Sequence, residues 1–537
     1  MFEDTTRQMD SWFIIVIPLS LCIIISSSFI FLLNLFFFSN SKTKKNLPPG
    51  PFTFPFIGNL PLLRNKSIAD IELILQKLKS KYGPIITLKI GTTTSIFITS
   101  HSLAYQALVQ QGALCSDRPL ALPTNQILSS NDRSINTASY GPTWRILRRN
   151  LKLEMLHPSL IKSRSKSRAN RALSILIQKL HDTADSEVGV MVLDHIKHAI
   201  FCLLAFMCFG NKLDEAQIIQ IKDSQHRALL AVLQFKILDI FPRVGKLIFR
   251  NRWKELIALR KVVESVFIPL IQAQIKHKEE KANSCVHKKE EETVCYVDTL
   301  LNLELPEEKR KLTYEEIVSL CGEFLGAASD TTSTALQWIM ANLVKYPAIQ
   351  EKLYKDILCK IEGPQQSKVE NSNKLIPEED LQKMPYLKAV ILEGLRRHPP
   401  SHFLLPHRVT KEMELNGYVI PKNAIIYFMV REMGMDPNVW EDPMDFKPER
   451  FLMDHRDGEP FDISGRREKK MMPFGVGRRI CPGYDFAMLH LEYFVANLIW
   501  HFEWKPVEGD DIDLTEELDF TFTMKNPLRA RVSPRLN

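Results

Sequence analysis

Cysteine is scarce in this 537-residue chain, and its spacing is uninformative for pairing. The nine residues are Cys22, Cys115, Cys202, Cys208, Cys285, Cys295, Cys321, Cys359 and Cys481, an odd number with no C-x-x-C among them. That excludes a disulfide framework and a zinc cluster, favours a reducing compartment, and leaves at most one cysteine with special work. Glycine (21) and proline (31) are too few for a collagen-like chain, and 45% hydrophobic residues are too many for a disordered one. No internal repeat is present, which excludes a solenoid. Charge of one sign forms no long block: 70 Lys and Arg stand against 62 Asp and Glu, a net +8. Nor is there a groove-like alternation of aromatic and basic residues, so nucleic acid is not an expected partner.

Charge is missing altogether from Ser11 to Ser41, where the chain reads FIIVIPLSLCIIISSSFIFLLNLFFF at its centre. This run exceeds the roughly 20 apolar residues that span a bilayer. It is too long for a secretory signal and lacks a small-residue cleavage site. Glu3, Asp4, Arg7 and Asp10 precede it with a net −2, whereas Lys42, Lys44 and Lys45 follow it. Positive flanks stay cytoplasmic. The expected organisation is a lumenal amino terminus and transmembrane anchor (1–41), a basic flank and proline-rich hinge (42–61), and a cytosolic body (62–537), with residues 42–537 together carrying +10. In the hinge, Pro48, Pro49, Pro51, Pro55 and Pro61 forbid a continuous helix. Phe52, Phe54 and Phe56 between them are expected to pack onto the body.

Beyond Ile68 apolar residues recur every three or four positions in Ile68–Lys79, Leu103–Gly112, Val192–Phe209, Leu256–Lys276 and Tyr314–Tyr346, which predicts helices. Strands are expected at Ile85–Ile90 with Ser95–Thr99, and at Met413–Tyr418 and Ala424–Phe428. Lys276–Glu292 is highly charged and reads as an exposed connector. The fold class is mainly α with small β-sheets.

Near the carboxy terminus, Phe474 to Gly483 reads FGVGRRICPG, which fits the pattern FxxGxxxCxG. Glycines let backbone turn sharply and lie close to a flat ligand, and nearby amide donors stabilise a thiolate. Further upstream lie ILEGLRRHPP, with Glu393 and Arg396 three apart on one helical face, and PERF, with Arg450. Together these motifs closely resemble those of the cytochrome P-450 superfamily, and specifically its plant microsomal members. The resemblance runs from about Pro48 to the carboxy terminus. It implies haem b held by Cys481 as axial thiolate, with Phe474 shielding the sulfur and Arg479 meeting a haem propionate. Thiolate ligation favours O–O cleavage. It also implies that Trp144 and Arg148, in GPTWRILRRNL, and His407, in LLPHRVT, reach the propionates. Glu393, Arg396 and Arg450 would form a structural ion network behind the haem.

GAASDTTSTALQWI, from Gly326, resembles the long helix that crosses the haem in that family, and Asp330 and Thr331 match its acid–alcohol pair. Cleaving O₂ requires protons, which an acid and a hydroxyl can relay. Ala328 replaces the usual glycine, and its methyl narrows the space beside the oxygen site. By the same resemblance the substrate pocket draws on Leu120–Ser139, Phe324, Leu325, Ala328, His402–Leu405 and Phe520–Thr523, mostly apolar and hydroxyl side chains suited to a hydrophobic small molecule. Basic residues Arg466, Arg467, Lys469, Lys470 and Arg478, with Arg145 and Arg149, would form a docking patch for an acidic electron donor. Only about fifty residues follow Gly483, so no flavin or dinucleotide domain follows the cysteine loop. Electrons would come from a separate NADPH-dependent reductase. The expected protein is a monooxygenase of the endoplasmic reticulum membrane. A haem-thiolate isomerase or dehydratase, needing no external electrons, and a non-catalytic haem-binding protein are the alternatives.

Overall fold

The computed structural model describes residues 18–31, 46–55, 57–64, 66–161, 166–184, 188–210, 213–235, 238, 248–283, 294–362, 375–452, 461, 463 and 470–535. The helices that frame the site are α1 (Pro18–Phe31), α2 (Ile68–Tyr82), α3 (Pro142–Asn150), α4 (Val192–Phe209), α5 (Glu215–Gln234), α6 (Arg250–Asn283), α7 (Tyr314–Lys345), α8 (Pro385–Arg397) and α9 (Tyr484–His501). Several begin where local chemistry dictates. Ser67 with Asp70, Asp214 with Gln217 and Thr313 with Glu316 form reciprocal capping boxes that satisfy otherwise orphaned N–H groups at the starts of α2, α5 and α7.

The core is built around α4 and α7, which pack along one another, with α9 against α7 and α8. Although α4 is apolar and long enough to cross a membrane, almost all of its side chains are buried in this core. Within Ser11–Ser41, α1 is the part described, and all its side chains are exposed; the rest of that segment lies outside the described residues.

A four-stranded sheet lies beside the helices in the order β1 (Ile85–Ile90), β2 (Thr93–Ile98), β4 (Ile425–Phe428), β3 (His407–Arg408). The first pair is antiparallel, β2 and β4 run parallel, and β3 returns antiparallel with His407 opposite Ile426. The proline-rich segment docks on β1 through backbone groups and the Asn59 side-chain amide. The Thr87 N–H donates to the Pro49 carbonyl (2.8 Å), and Asn59 accepts from the Lys89 N–H (2.8 Å). With the backbone thus engaged, its aromatic rings face outward. Phe52 and Phe54 are 72% and 51% exposed and meet edge to face at 5.4 Å, so these two rings do not pack onto the body as expected. Phe56 lies outside the described residues.

Three further expectations change. Met413–Tyr418 is not one strand but a hairpin, Met413–Leu415 with Tyr418–Ile420, turned by Asn416 and Gly417 at φ 54° and 75°. Asn-Gly is the pair that a two-residue turn with both φ positive demands. Lys276–Asn283 continues α6 rather than forming a connector; residues 284–292 lie outside the described residues. Leu103–Gly112 is a helix only as far as Tyr105 and then widens into a π turn, Gln106–Gln110. Such turns concentrate at functional sites, and this one faces the cysteine loop.

Candidate active site

Cys481 sits where that loop runs into α9, whose first residue is Tyr484. Its N–H donates to the Phe474 carbonyl (2.9 Å), which closes the loop. Burial pushes the thiol above its usual pKa, while the Gly483 N–H and the Arg148 guanidinium favour the thiolate. Phe474 packs on Tyr484, ring centres 6.4 Å apart.

Gly475 and Gly477 take φ of 68° and 75°. At Gly477 a Cβ would stand 2.1 Å from the Leu108 carbonyl oxygen, which the π turn pushes against the loop. Gly477→Ala therefore combines a clash with left-handed strain of roughly 1–2 kcal/mol. It should displace the loop and lower haem retention well below wild type, whereas Gly417→Ala, at an open turn, should leave retention unchanged. Cofactor content after gel filtration checks both.

On the other side of the loop, cations converge. Arg479 donates to the carbonyls of Ser116 (2.8 Å), Ile135 (3.1 Å) and Ala138 (2.7 Å) and lies over the Trp144 ring (4.4 Å). The Trp144 indole N–H also goes to the Ile135 carbonyl (3.1 Å). Arg148, one helical turn on in α3, donates to the Ile480 carbonyl beside the cysteine. His407 donates through Nδ1 to the Cys115 carbonyl (2.6 Å). Burial, with Arg118 and Arg479 near it, pushes its pKa down to about 3. The ring is neutral, and Nε2 carries a lone pair rather than a proton. Arg408 pairs with Asp117, whereas the His407 ring lies near Arg118 and Arg479.

One member was missed in the sequence. Arg118 is buried among these groups and donates to the carbonyls of Asn136, Leu405 and Pro406, each at 2.9 Å. Burial and the neighbouring Arg148 lower its pKa to about 10, and burial with Arg118 lowers Arg479 to about 9. Three guanidiniums, on Arg118, Arg148 and Arg479, thus gather near two carboxylates, Asp117 and Glu323. Of these, Asp117 bonds to Arg408, and Glu323 accepts from two backbone amides. A ligand with two negative charges would relieve this crowding, and the two propionates of a haem meet that need.

The Glu393, Arg396 and Arg450 side chains meet as the motifs imply. Arg396 grips Glu393 through two bonds (2.7 and 2.8 Å), and Glu393 Oε1 also accepts from Arg450 (3.1 Å) and the Lys447 N–H (2.8 Å). Glu393 and Arg396 are 0% exposed at their side chains. The spare Arg396 donors reach the Gly434 and Pro443 carbonyls.

On α7, Ala328, Asp330 and Thr331 are partly exposed beside exposed Ala327, in the middle of a mostly buried helix. Burial raises the Asp330 pKa, while Lys197 and His226 lower it. The Thr331 hydroxyl donates to the Ala327 carbonyl one turn back (2.7 Å). The candidate pocket segments divide. Phe324 and Leu325 are core, Phe324 lying 5.1 Å from the Tyr296 ring. His402 is tied to Glu72 (2.7 Å), and Thr521 bonds Thr334 (2.7 Å). Leu120, Leu405 and Phe520 remain exposed.

A half-buried cysteine in a glycine-hinged loop, with buried arginines short of anions beside it, is the arrangement expected of a haem-thiolate protein. The comparisons agree. The family model described as Cytochrome P450 matches residues 48–531. The chain is 50% identical to Cytochrome P450 89A9 of Arabidopsis thaliana over 515 residues, covering 94% of this chain and 96% of that one. It is 29% identical to Melianol synthase CYP71BQ4 of Citrus sinensis, with 96% of each covered. A zebrafish cytochrome P450 structure with progesterone shares the fold at a TM-score of 0.68 and 22% identity, over 87% of this chain and 99% of that one. The chain belongs to the cytochrome P450 family and is a monooxygenase of that family.

Proposed function

We propose that this enzyme inserts one atom of O₂ into a hydrophobic small organic molecule, using electrons from a separate NADPH-dependent reductase. The observation that carries the reading is the gathering of buried Arg118, Arg148 and Arg479 beside the glycine loop that carries Cys481, which would offer a thiolate to a haem's metal and cations to its propionates. Cys481 would hold the iron; Arg118, Arg148 and Arg479 would hold the propionates, with His407 joining only when protonated. Trp144 would act as the platform beneath Arg479. When bound, the haem supplies O₂ binding and reductive cleavage.

The remaining chemistry belongs to the chain. A carboxyl raised by burial can hold a proton at Asp330, and Lys197 and His226 keep it from being held too tightly. Thr331 keeps its oxygen lone pairs available while its proton rests on the Ala327 carbonyl. Delivering that proton requires the backbone bond to break. With Thr331→Ala we expect product per NADPH consumed to fall about tenfold or more, with hydrogen peroxide rising in step. Equal product and peroxide yields in the variant and wild type would remove the hydroxyl from the relay.

Two surfaces support the proposed setting. Tyr140 holds Arg145 (5.0 Å) and Arg478 (5.3 Å) against its ring, so α3 and the cysteine loop pool their positive charge on one face, suited to an acidic reductase. Lys470 is described; Arg466, Arg467 and Lys469 lie outside the described residues. Exposed Phe52, Phe54, Ile57, Leu60 and Leu62 lie between α1 and the body, where a membrane surface would cover them. This supports an anchor within residues 1–41 in the endoplasmic reticulum membrane, a flank to 61, and a cytosolic catalytic body beyond. Full-length protein in vesicles with reductase tests the whole: product should require both NADPH and O₂. Product formed without either would replace this reading with an isomerase or dehydratase.

A further inference from the structure

We propose that Glu323 is the positioning residue of the propionate side, holding the loop Ser134–Ala138 at the register in which its carbonyls aim Trp144, Arg118 and Arg479. This rests on the haem reading of Cys481. The Glu323 carboxylate accepts from the N–H groups of Ile135 (2.7 Å) and Asn136 (2.6 Å), two consecutive amides 188 and 187 residues away in the chain. The Asn136 N–H and the Ile135 carbonyl belong to one planar trans peptide, so they point in opposite directions. Fixing the N–H on Glu323 therefore fixes the direction of the carbonyl. That carbonyl accepts from both Trp144 Nε1 (3.1 Å) and Arg479 (3.1 Å). The next carbonyl, Asn136, accepts Arg118 Nε at 2.9 Å, and Ala138 accepts Arg479 at 2.7 Å.

The loop is preceded by Ser130, Asn131 and Asp132, all at positive φ (50°, 57° and 64°), so no regular ladder orients it. An anion on the N–H side also polarises the peptide and strengthens its carbonyl as an acceptor. Ser134 and Arg118 join the two amides in favouring the charged carboxylate against burial, which pushes the group up to about 7. Glu323 stands seven residues before Asp330 on α7, two turns along the same face. One helix thereby sets both the acid–alcohol pair and, through the loop, the arginines.

The test uses full-length protein in detergent and follows haem transfer to excess apomyoglobin. Glu323→Gln presents an NH₂ group to one of the two amides and removes the charge. Transfer should accelerate about tenfold or more. The double-mutant cycle separates positioning from bulk stability. Arg479→Lys cannot span the Ile135 and Ala138 carbonyls, so if Glu323 acts through Arg479 the double variant will lose haem more slowly than the product of the two single effects. The apoprotein's unfolding midpoint should stay near wild type in Glu323→Gln. Wild-type transfer rates, fully multiplicative effects, or a haem loss matched by lost apoprotein stability would each overturn the proposal. If those rates are unchanged in a wild type showing the thiolate spectrum, the inference fails alone; if wild type shows no such spectrum, the haem reading fails with it.

Discussion

Replacing Cys481 with alanine should abolish turnover while leaving the polypeptide folded. The reduced carbon monoxide complex of wild type should show the Soret position of a thiolate-ligated haem, and that band should be absent in Cys481→Ala. The expectation follows from the loop's construction. Burial alone disfavours the thiolate, and the structure answers with an amide from Gly483, a guanidinium from Arg148 and the amino end of α9. These donors have nothing to stabilise once the sulfur is gone. The backbone closure from the Cys481 N–H to the Phe474 carbonyl does not depend on the side chain, so the loop should persist. Far-ultraviolet circular dichroism should match wild type. A wild type whose spectrum is that of histidine-ligated haem would overturn the assignment at once.

The second large effect is on stability. Glu393→Ala leaves Arg396 charged and buried with no carboxylate, and Arg396→Ala does the same to Glu393. Breaking a buried pair in this way costs roughly 3–5 kcal/mol, against a total native stability of about 5–15 kcal/mol. Both variants should therefore accumulate mainly as haem-free or aggregated protein. Arg450→Ala should be milder, because its side chain is partly exposed and Glu393 keeps the two Arg396 bonds and the Lys447 amide. Urea unfolding of the soluble full-length protein, followed by far-ultraviolet circular dichroism, should rank Arg450→Ala between wild type and the other two. Equal midpoints for all four proteins would show that the network does not support the fold.

Much of this was legible in the chain because it is local. Glu393 and Arg396 are a turn apart on α8, and the cysteine loop spans ten residues. The α7 motif lies within one helix, and α4 has the boundaries its apolar period suggests. Local readings failed where backbone, not side chains, made the contact. The π turn after Tyr105 has ordinary helical residues, and its widening brings the Leu108 carbonyl to Gly477, 369 positions later. The prolines announced a rigid segment, yet its docking on β1 runs through the Pro49 carbonyl and the Asn59 N–H, so Phe52 and Phe54 were left outside.

The same distinction separates the ligand from its surroundings. Sequence singled out the proposed iron ligand, the ion network and the proposed acid–alcohol pair, since each depends on side-chain chemistry at fixed short spacing. Only the folded chain disclosed Arg118 and Glu323. An arginine bonded to carbonyls up to 288 residues away, and a glutamate bonded to amides, have partners that every residue possesses, so no side-chain pattern marks them in advance. Glu323 did carry one signal, an acid set between Leu320 and Phe324 on an apolar stretch of helix. What it answers to became visible only when the loop from Ser134 to Ala138 was brought against it.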